Sequence, residues 1–374
     1  MVNKNEPAAG KRPDDSCPQC GCTPRENRPG DAGRIASALE GTLSTPAGDI
    51  PRVTTRLKFK DRLGSGKVRC GIGRGEYRLP PGLYAVGHPE SGSPVLVTAN
   101  YKLSFDSLRK ELTGLDAWVL VLDTKGINVW CAAGKGTFGT AELVRRVDDV
   151  KLDRVVSHRK IILPQLGAPG VAAHDVQKQT GFRVVFGPVR AKDLRVFLET
   201  GLKATPEMRR VKFGFAERLL IVPEEIVAVL PILLAALALQ AVIGLISAGR
   251  LSLLEFGPWV GAVLAGCALV PMLLPWIPGR AFAFKGWLAG VLWVLAFQAF
   301  CVWGLQRDFH WGSLLSSLLL LPAISAYVAL NFTGSSTFTS LSGVVKEMRR
   351  AVPLMIGAAS LGVILFVVRF FVKF

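Results

Sequence analysis

Residues 117–147 read AWVLVLDTKGINVWCAAGKGTFGTAELVRRV. The run from Ala117 to Thr124 is almost wholly apolar, and its length suits a strand buried on both faces. Gly126 breaks the run, and a helix around 129–146 follows, with Asn128 placed to cap it. The same alternation continues on both sides. Upstream, PVLVTAN (94–100) reads as a strand and SFDSLRKEL (104–112) as a helix capped by Ser104. Downstream come a strand RKIILP (159–164), a helix near 171–180, a strand RVVFGPV (183–189) and a helix AKDLRVFLETG (191–201). Four βα units predict a small Rossmann-like α/β domain built on a parallel sheet. Ligands of such sheets lie beyond the carboxyl ends of the strands. The informative loops are therefore 125–137, 164–170 and 187–190, each of which contains glycine.

This domain cannot be the whole chain, because 374 residues suggest two or three domains. Half the residues are apolar and the mean hydropathy is +0.35, yet 20% are charged, so the charge must be unevenly placed. Residues 1–225 hold 36 Lys or Arg against 25 Asp or Glu, and residues 226–374 hold only 9 against 3. The second part contains five apolar runs, 226–249, 257–279, 286–306, 311–331 and 351–368. Each is long enough to cross a bilayer as a helix, and five in succession leave no polar surface for a soluble protein.

Lys and Arg near the spans orient them. With the amino-terminal part in the cytoplasm, the inner face receives Arg209, Arg210, Lys212, Arg218, Arg280, Lys285, Lys346, Arg349 and Arg350. The outer face receives Arg250, Arg307, Arg369 and Lys373. The expectation is a multi-pass protein of the cytoplasmic membrane with a cytoplasmic amino terminus, and the first 50 residues show no secretory signal. No Asp, Glu, Lys, Arg or His falls inside the five runs, which speaks against an ion or proton transporter. Pro231, Pro271, Pro275 and Pro322 read as kinks or ends of helices. NFTGSSTFTSLSGVVKEMRR (331–350) reads as a solvated loop with a short basic interfacial helix.

The basic excess of the first 225 residues is spread out and lacks interleaved aromatics or a recognition motif, so no nucleic-acid partner is expected. Attraction to an anionic leaflet accounts for its juxtamembrane part. Residues 1–50 lack periodic apolar positions and read as a mobile tail. Within it CPQCGC brings Cys17, Cys20 and Cys22 together. A CxxC pair is half of a four-ligand site, so these thiols are candidates for opportunistic soft-metal binding only, and no iron-sulfur cluster is expected in this chain. Cys70 is the one further thiol that a four-ligand site could recruit, whereas Cys267 and Cys301 lie in the apolar runs as small fillers.

Chemistry concentrates in Gly126–Thr140. AAGKGT superficially suggests a phosphate loop, but that pattern needs Gly where Val129 stands and Ser or Thr where Gly136 stands. Cys131 instead falls in the first turn of the helix that Asn128 caps, with Lys135 one turn further on. The positive end of the helix dipole and the lysine favour its thiolate form. A nucleophile, a metal-ligating thiolate and a buried structural cysteine remain open readings. The absence of a nearby His or Asp partner leans toward a metal ligand.

NVWCAAGK, Asn128 to Lys135, resembles the signature cap-helix motif of the membrane corrinoid protein of microbial mercury methylation. The stretch from YRLPPGLYAVG through PVLVTANYKLSFDSL, ILPQLGAPG and FGPVRAKDL is similar to the corrinoid domain of the corrinoid iron-sulfur protein of the acetyl-CoA pathway. Together the resemblances cover roughly 75–205, and five carboxy-terminal spans are also a feature of the mercury-methylating family. CPQCGC is not a feature of the family and inherits no role.

The resemblance implies a cobalamin-type corrinoid in its methylcobalt form, with Cys131 as catalytic residue and lower axial ligand of the cobalt. It implies methyl transfer to Hg(II), giving methylmercury, with a ferredoxin-like partner carrying two 4Fe-4S clusters and a folate-type methyl donor system. Asn128 orients the helix, Trp130 packs against the domain or the corrin face, and Ala132, Ala133 and Gly134 let the helix approach the ring, with Lys135 at its end. Gln165, Leu166, Gly167, Ala168, Gly170 and Gly187 are expected to line the corrin ring or nucleotide tail. The alternative ligand pattern DxHxxG is absent around His88, His158 and His174. A thiolate suits the acceptor, because an electron-poor soft cation takes the methyl group as a carbanion or a radical and a strong donor trans to it favours that departure. The expected organisation is a tail (1–50), a corrinoid-binding α/β domain (51–205), a basic juxtamembrane linker (206–225) and a five-helix transmembrane domain (226–374). Two alternatives stand beside it: a membrane-anchored methyl carrier of acetyl-CoA-pathway type without the axial thiolate, and a non-catalytic membrane metal-binding module.

Overall fold

The computed structural model describes residues 35–248, 252–335 and 341–368. Its two compact units consist of residues up to 66 with 73–210, and of residues 67–72 with those from 211 onward. Cys17, Cys20 and Cys22 lie outside the described residues.

The first unit is a mixed α/β structure on a seven-stranded sheet of order β1-β2-β3-β5-β4-β6-β7. The strands are β1 (Leu39–Thr45), β2 (Gly48–Val53), β3 (Gly82–Val86), β4 (Val95–Ala99), β5 (Ala117–Leu122), β6 (Lys160–Leu163) and β7 (Arg183–Phe186). β5, β4, β6 and β7 run parallel. Every residue of β4 and β5 is buried, which is why both read as unbroken apolar runs. β3 lies antiparallel to β5, and β2 lies parallel to β3. The all-parallel sheet expected from four βα units is thus a mixed one with three more strands.

β1 and β2 form a hairpin closed at Thr45 and Gly48. Residues 39–50 had been assigned to the tail because five of the seven β1 residues are exposed, which leaves no apolar alternation to read. Two helices also depart from expectation. The first runs Lys102–Arg109 with Tyr101 at its N-cap, so Ser104 lies inside it and caps nothing. The expected helix 129–146 is two, Val129–Lys135 and Thr140–Asp149, separated where Gly136 adopts φ 79° and ends the first.

A buried ionic cluster joins the Phe59–Arg69 and Lys102–Arg109 helices. Lys102 Nζ stands 2.7 Å from Asp61 and 2.6 Å from Asp106, and Arg109 stands 2.9 Å and 2.7 Å from the same two carboxylates. Arg109 also donates to the carbonyls of Thr54 and Arg56. Burial opposes ionisation of Asp61, but the Lys102 hydrogen bond and charge, Ser37 and Arg109 outweigh it and bring the carboxyl from 3.8 down to about 2. Burial likewise opposes the charge on Lys102, and the Asp106 and Asp61 carboxylates raise its pKa above the ordinary value.

The second unit holds five helices long and apolar enough to cross a membrane: Phe215–Ile246, Leu253–Leu273, Phe282–Gly304, Trp311–Asn331 and Ser342–Val368. The second ends at Leu273, short of the expected 279, where Pro275 and Pro278 follow. The stretch SGVVKEMRR, expected as a separate interfacial helix, is the start of one continuous helix, Leu341–Val368. Charged residues therefore do enter these helices, at their ends. Lys285, expected in a loop, sits in the first turn of Phe282–Ala299 and donates to the Leu274 and Ile277 carbonyls. Gly286 and Gly290 form a GxxxG step where this helix meets Trp311–Asn331, and a Cβ on Gly286 would stand 2.6 Å from the Ser325 carbonyl oxygen.

Candidate functional site

The parallel strand order 5-4-6-7 reverses between β4 and β6, and a ligand of such a sheet binds beyond the carboxyl ends of the strands at that reversal. The residue that organises this end is Asn100, just past β4 and fully buried. Its Oδ1 accepts from Thr124 N, Thr124 Oγ1 and Gly126 N at 3.1, 2.9 and 3.0 Å, and its Nδ2 donates to Asp123. The single Thr124 hydroxyl proton is shared between Asn100 Oδ1 and the Ile127 carbonyl, which lies 2.6 Å from Oγ1. The loop after β5 is thereby fixed through Lys125 and Gly126, both at positive φ, and delivers Asn128 to the start of the next helix. The sequence reading gave Asn100 no role, since one amide after a strand carries no signal until its partners are seen.

Asn128 caps the Val129–Lys135 helix as expected, its Oδ1 accepting from Cys131 N at 2.9 Å. Seven residues make about two turns. Val129, Ala132 and Ala133 are buried, whereas Trp130 and Gly134 are exposed and Cys131 is half-buried. Trp130, Cys131 and Gly134 fall together at helical spacing. Trp130 is 43% exposed, so of its two expected packing partners the domain interior is not one. A Cβ built on Gly134 meets nothing within 4 Å. The helix thus turns a thiol, an indole and a bare backbone to the outside.

The loop Gln165–Gly170 packs behind the helix rather than beside the thiol. A Cβ on Gly167 would overlap the Phe138 ring, and one on Gly170 would overlap the Phe138 carbonyl oxygen and stand 3.1 Å from Ala133 Cα. Gly187 is buried, donating to the Leu163 carbonyl at 2.8 Å, with Ile162 and Phe197 over it. These three glycines permit close packing within the unit. Gln165 accepts from Arg209 at 3.1 Å, and Leu166 and Ala168 are half-buried. The histidines are engaged elsewhere: His88 with Arg52, His158 with the Ser93 carbonyl, His174 with Asp175.

The two kinds of glycine separate experimentally. Gly134→Ala is expected to hold or raise thermal stability, because glycine inside a helix costs roughly 0.5–1 kcal/mol against alanine. Gly170→Ala is expected to lower it by about 1–3 kcal/mol through overpacking. Thermal unfolding of the purified full chain checks both.

Among the described residues no group of three or more His, Cys, Asp or Glu side chains could hold a metal ion. The space over Gly134 is open, so the outer side of this helix can be approached closely.

Residues 75–198 match the family described as CO dehydrogenase/acetyl-CoA synthase delta subunit. The same region is similar to the acetyl-CoA decarbonylase/synthase complex subunit gamma of Methanopyrus kandleri, 36% identical over 124 residues, covering 32% of this chain and 26% of that protein. The subunit gamma of Archaeoglobus fulgidus is 30% identical over 124 residues, covering 33% and 26%. The corrinoid/iron-sulfur protein large subunit of Moorella thermoacetica is 31% identical over 127 residues, covering 33% and 28%. The chain thus spans about a quarter of the length of these relatives. A relationship to corrinoid proteins is supported for the region holding β3–β7, while β1, β2 and the apolar helices lie outside the match. Two of these three names refer to an acetyl-CoA decarbonylase/synthase complex and the third to a corrinoid/iron-sulfur protein.

Proposed function

We propose that the sheet unit is a Rossmann-like corrinoid-binding domain acting as a methyl carrier, tethered to the membrane by the five helices, with Cys131 as the residue that would ligate the corrinoid's metal. When bound, a corrinoid supplies a cobalt that accepts and releases a methyl group. The observation that carries the reading is the capped helix that brings a half-buried Cys131 to the same side as the exposed Trp130 and Gly134. Asn128 holds the first turn so that the thiol keeps its direction, Ala132 and Ala133 fix the buried side, and Trp130 shields the approach from water. The relatives' corrinoid association supports the carrier role.

Hg(II) is the acceptor we infer, the amino-terminal unit and its ferredoxin-like and folate-type partners lying in the cytoplasm. This rests on the likeness of NVWCAAGK to the mercury-methylating motif and on the strongly electron-donating thiolate that Cys131 would supply to a bound corrinoid. The comparisons lie nearer to the second reading, an acetyl-CoA-type carrier. One experiment separates the two. The full chain in detergent, loaded with methylcobalamin under anoxic conditions, is offered Hg(II) in one vessel and a reduced acetyl-CoA synthase in another. Methylmercury in the first vessel is the expected result; transfer only in the second makes the acetyl-CoA carrier correct.

A further inference from the structure

Among the apolar helices lies a groove of about 1240 Å³ whose composition changes along its length. Ala323 and Ala326 of the Trp311–Asn331 helix form a floor of small side chains. Trp287 and Leu354 stand on its walls and are themselves exposed, at 45% and 74%, so the groove opens sideways to whatever surrounds the helices. Its charged end carries Arg280, Lys346 and Arg350, all exposed, with Glu347 beside them.

Glu347 offsets only one of these three charges and leaves a positive excess of two. Its Oε1 accepts from Ala283 N at 2.7 Å, in the first turn of the Phe282–Ala299 helix, so the carboxylate is committed to capping that helix. No ion pair among the described residues involves Arg280, Lys346 or Arg350. Three cations at the mouth of a laterally open apolar groove complement one class of molecule, an anion attached to a hydrocarbon chain, and basic pockets between membrane helices take such head groups.

We propose that this groove binds one anionic phospholipid, with its phosphate at Arg280, Lys346 and Arg350 and an acyl chain along Ala323 and Ala326. The site serves no step of methyl transfer, and it stands or falls independently of what the sheet unit binds.

The test uses the delipidated full chain in detergent, exposed to equal amounts of phosphatidylglycerol and phosphatidylcholine and examined by native mass spectrometry. Phosphatidylglycerol is expected to be retained at least about tenfold over phosphatidylcholine, given three cations near the phosphate. R280Q, K346Q and R350Q combined should bring that ratio close to unity while the protein stays monodisperse, because all three side chains are exposed. Ala358→Trp, which narrows the groove without touching its charge, should reduce retention of both lipids. Four outcomes overturn the proposal. They are equal retention of the two lipids by the wild type, an undiminished preference in the triple variant, full displacement by millimolar inorganic phosphate, which marks a simple anion site, and a lipid-free dimer, which marks a surface for a second copy.

Discussion

Replacing Cys131 with alanine is expected to abolish methyl transfer by the corrinoid-loaded chain while leaving the fold and the loaded corrinoid in place. The side chain is half-buried in a seven-residue helix whose packing rests on Val129, Ala132 and Ala133, so losing one sulfur atom costs little contact. The absorption spectrum of the loaded chain should move from a thiolate-ligated to a water-ligated form, a change that a purely structural cysteine would not produce. Cys131→His should restore a ligated spectrum without restoring the rate, because neutral imidazole is the weaker donor. An unchanged spectrum together with wild-type methylmercury production from Cys131→Ala would end the axial-thiolate reading and leave the acetyl-CoA-type carrier.

The second large effect lies in the ionic cluster. Arg109 is fully buried and bridges Asp61 and Asp106, and Arg109→Ala leaves both carboxylates short of a partner. Breaking a buried pair from one side costs about 3–5 kcal/mol, enough to unfold a marginal domain. The pH dependence carries the same signature. Asp61 titrates at about 2 in the folded chain against 3.8 ordinarily, so its contribution is complete above the ordinary value and is lost as pH falls through about 2. Lys102 is shifted upward, so its contribution is present below the ordinary lysine value and fades as pH rises through the raised one. Chemical denaturation of the full chain between about pH 2 and 5 should show a fall in stability that Asp61→Asn flattens, starting from a lower plateau. A slope identical in wild type and variant would mean that other carboxylates govern the acid limb.

Much of the sheet was legible because burial on both faces writes an unmistakable pattern. VLVTA and AWVLVL contain no residue that belongs at a surface, and both are strands. β1 was illegible for the opposite reason: LEGTLST lies at a sheet edge, exposed along most of its length, and its strand character comes from pairing with β2, which no local pattern records. Lys102, Asp106 and Arg109 sit at helical spacing and read as an ordinary charged face, since their burial depends on Asp61 arriving from a distant helix. At the candidate site, Asn128 and Cys131 were found because a cap acts within four residues, where sequence and structure carry the same information. The glycines at 167, 170 and 187 stand out in the sequence, but the close packing that they permit does not. A glycine that admits a ligand and one that admits the neighbouring backbone look alike until the space above each is known.

The Ala133–Gly170 approach sets a tolerance for the whole site. A two-turn helix cannot hold its own elevation over a sheet; the loop wedged beneath it does, and that loop fits only because position 170 has no side chain. A single methyl group there would lift the helix, and the thiol with it, by something on the order of a bond length. Bonds between a metal and its ligand hold their lengths to within about 0.2 Å. If Cys131 ligates a bound metal as proposed, the reach of its sulfur is gauged by position 170, and a variant that keeps the cysteine but loses that glycine should keep the thiol and lose its aim.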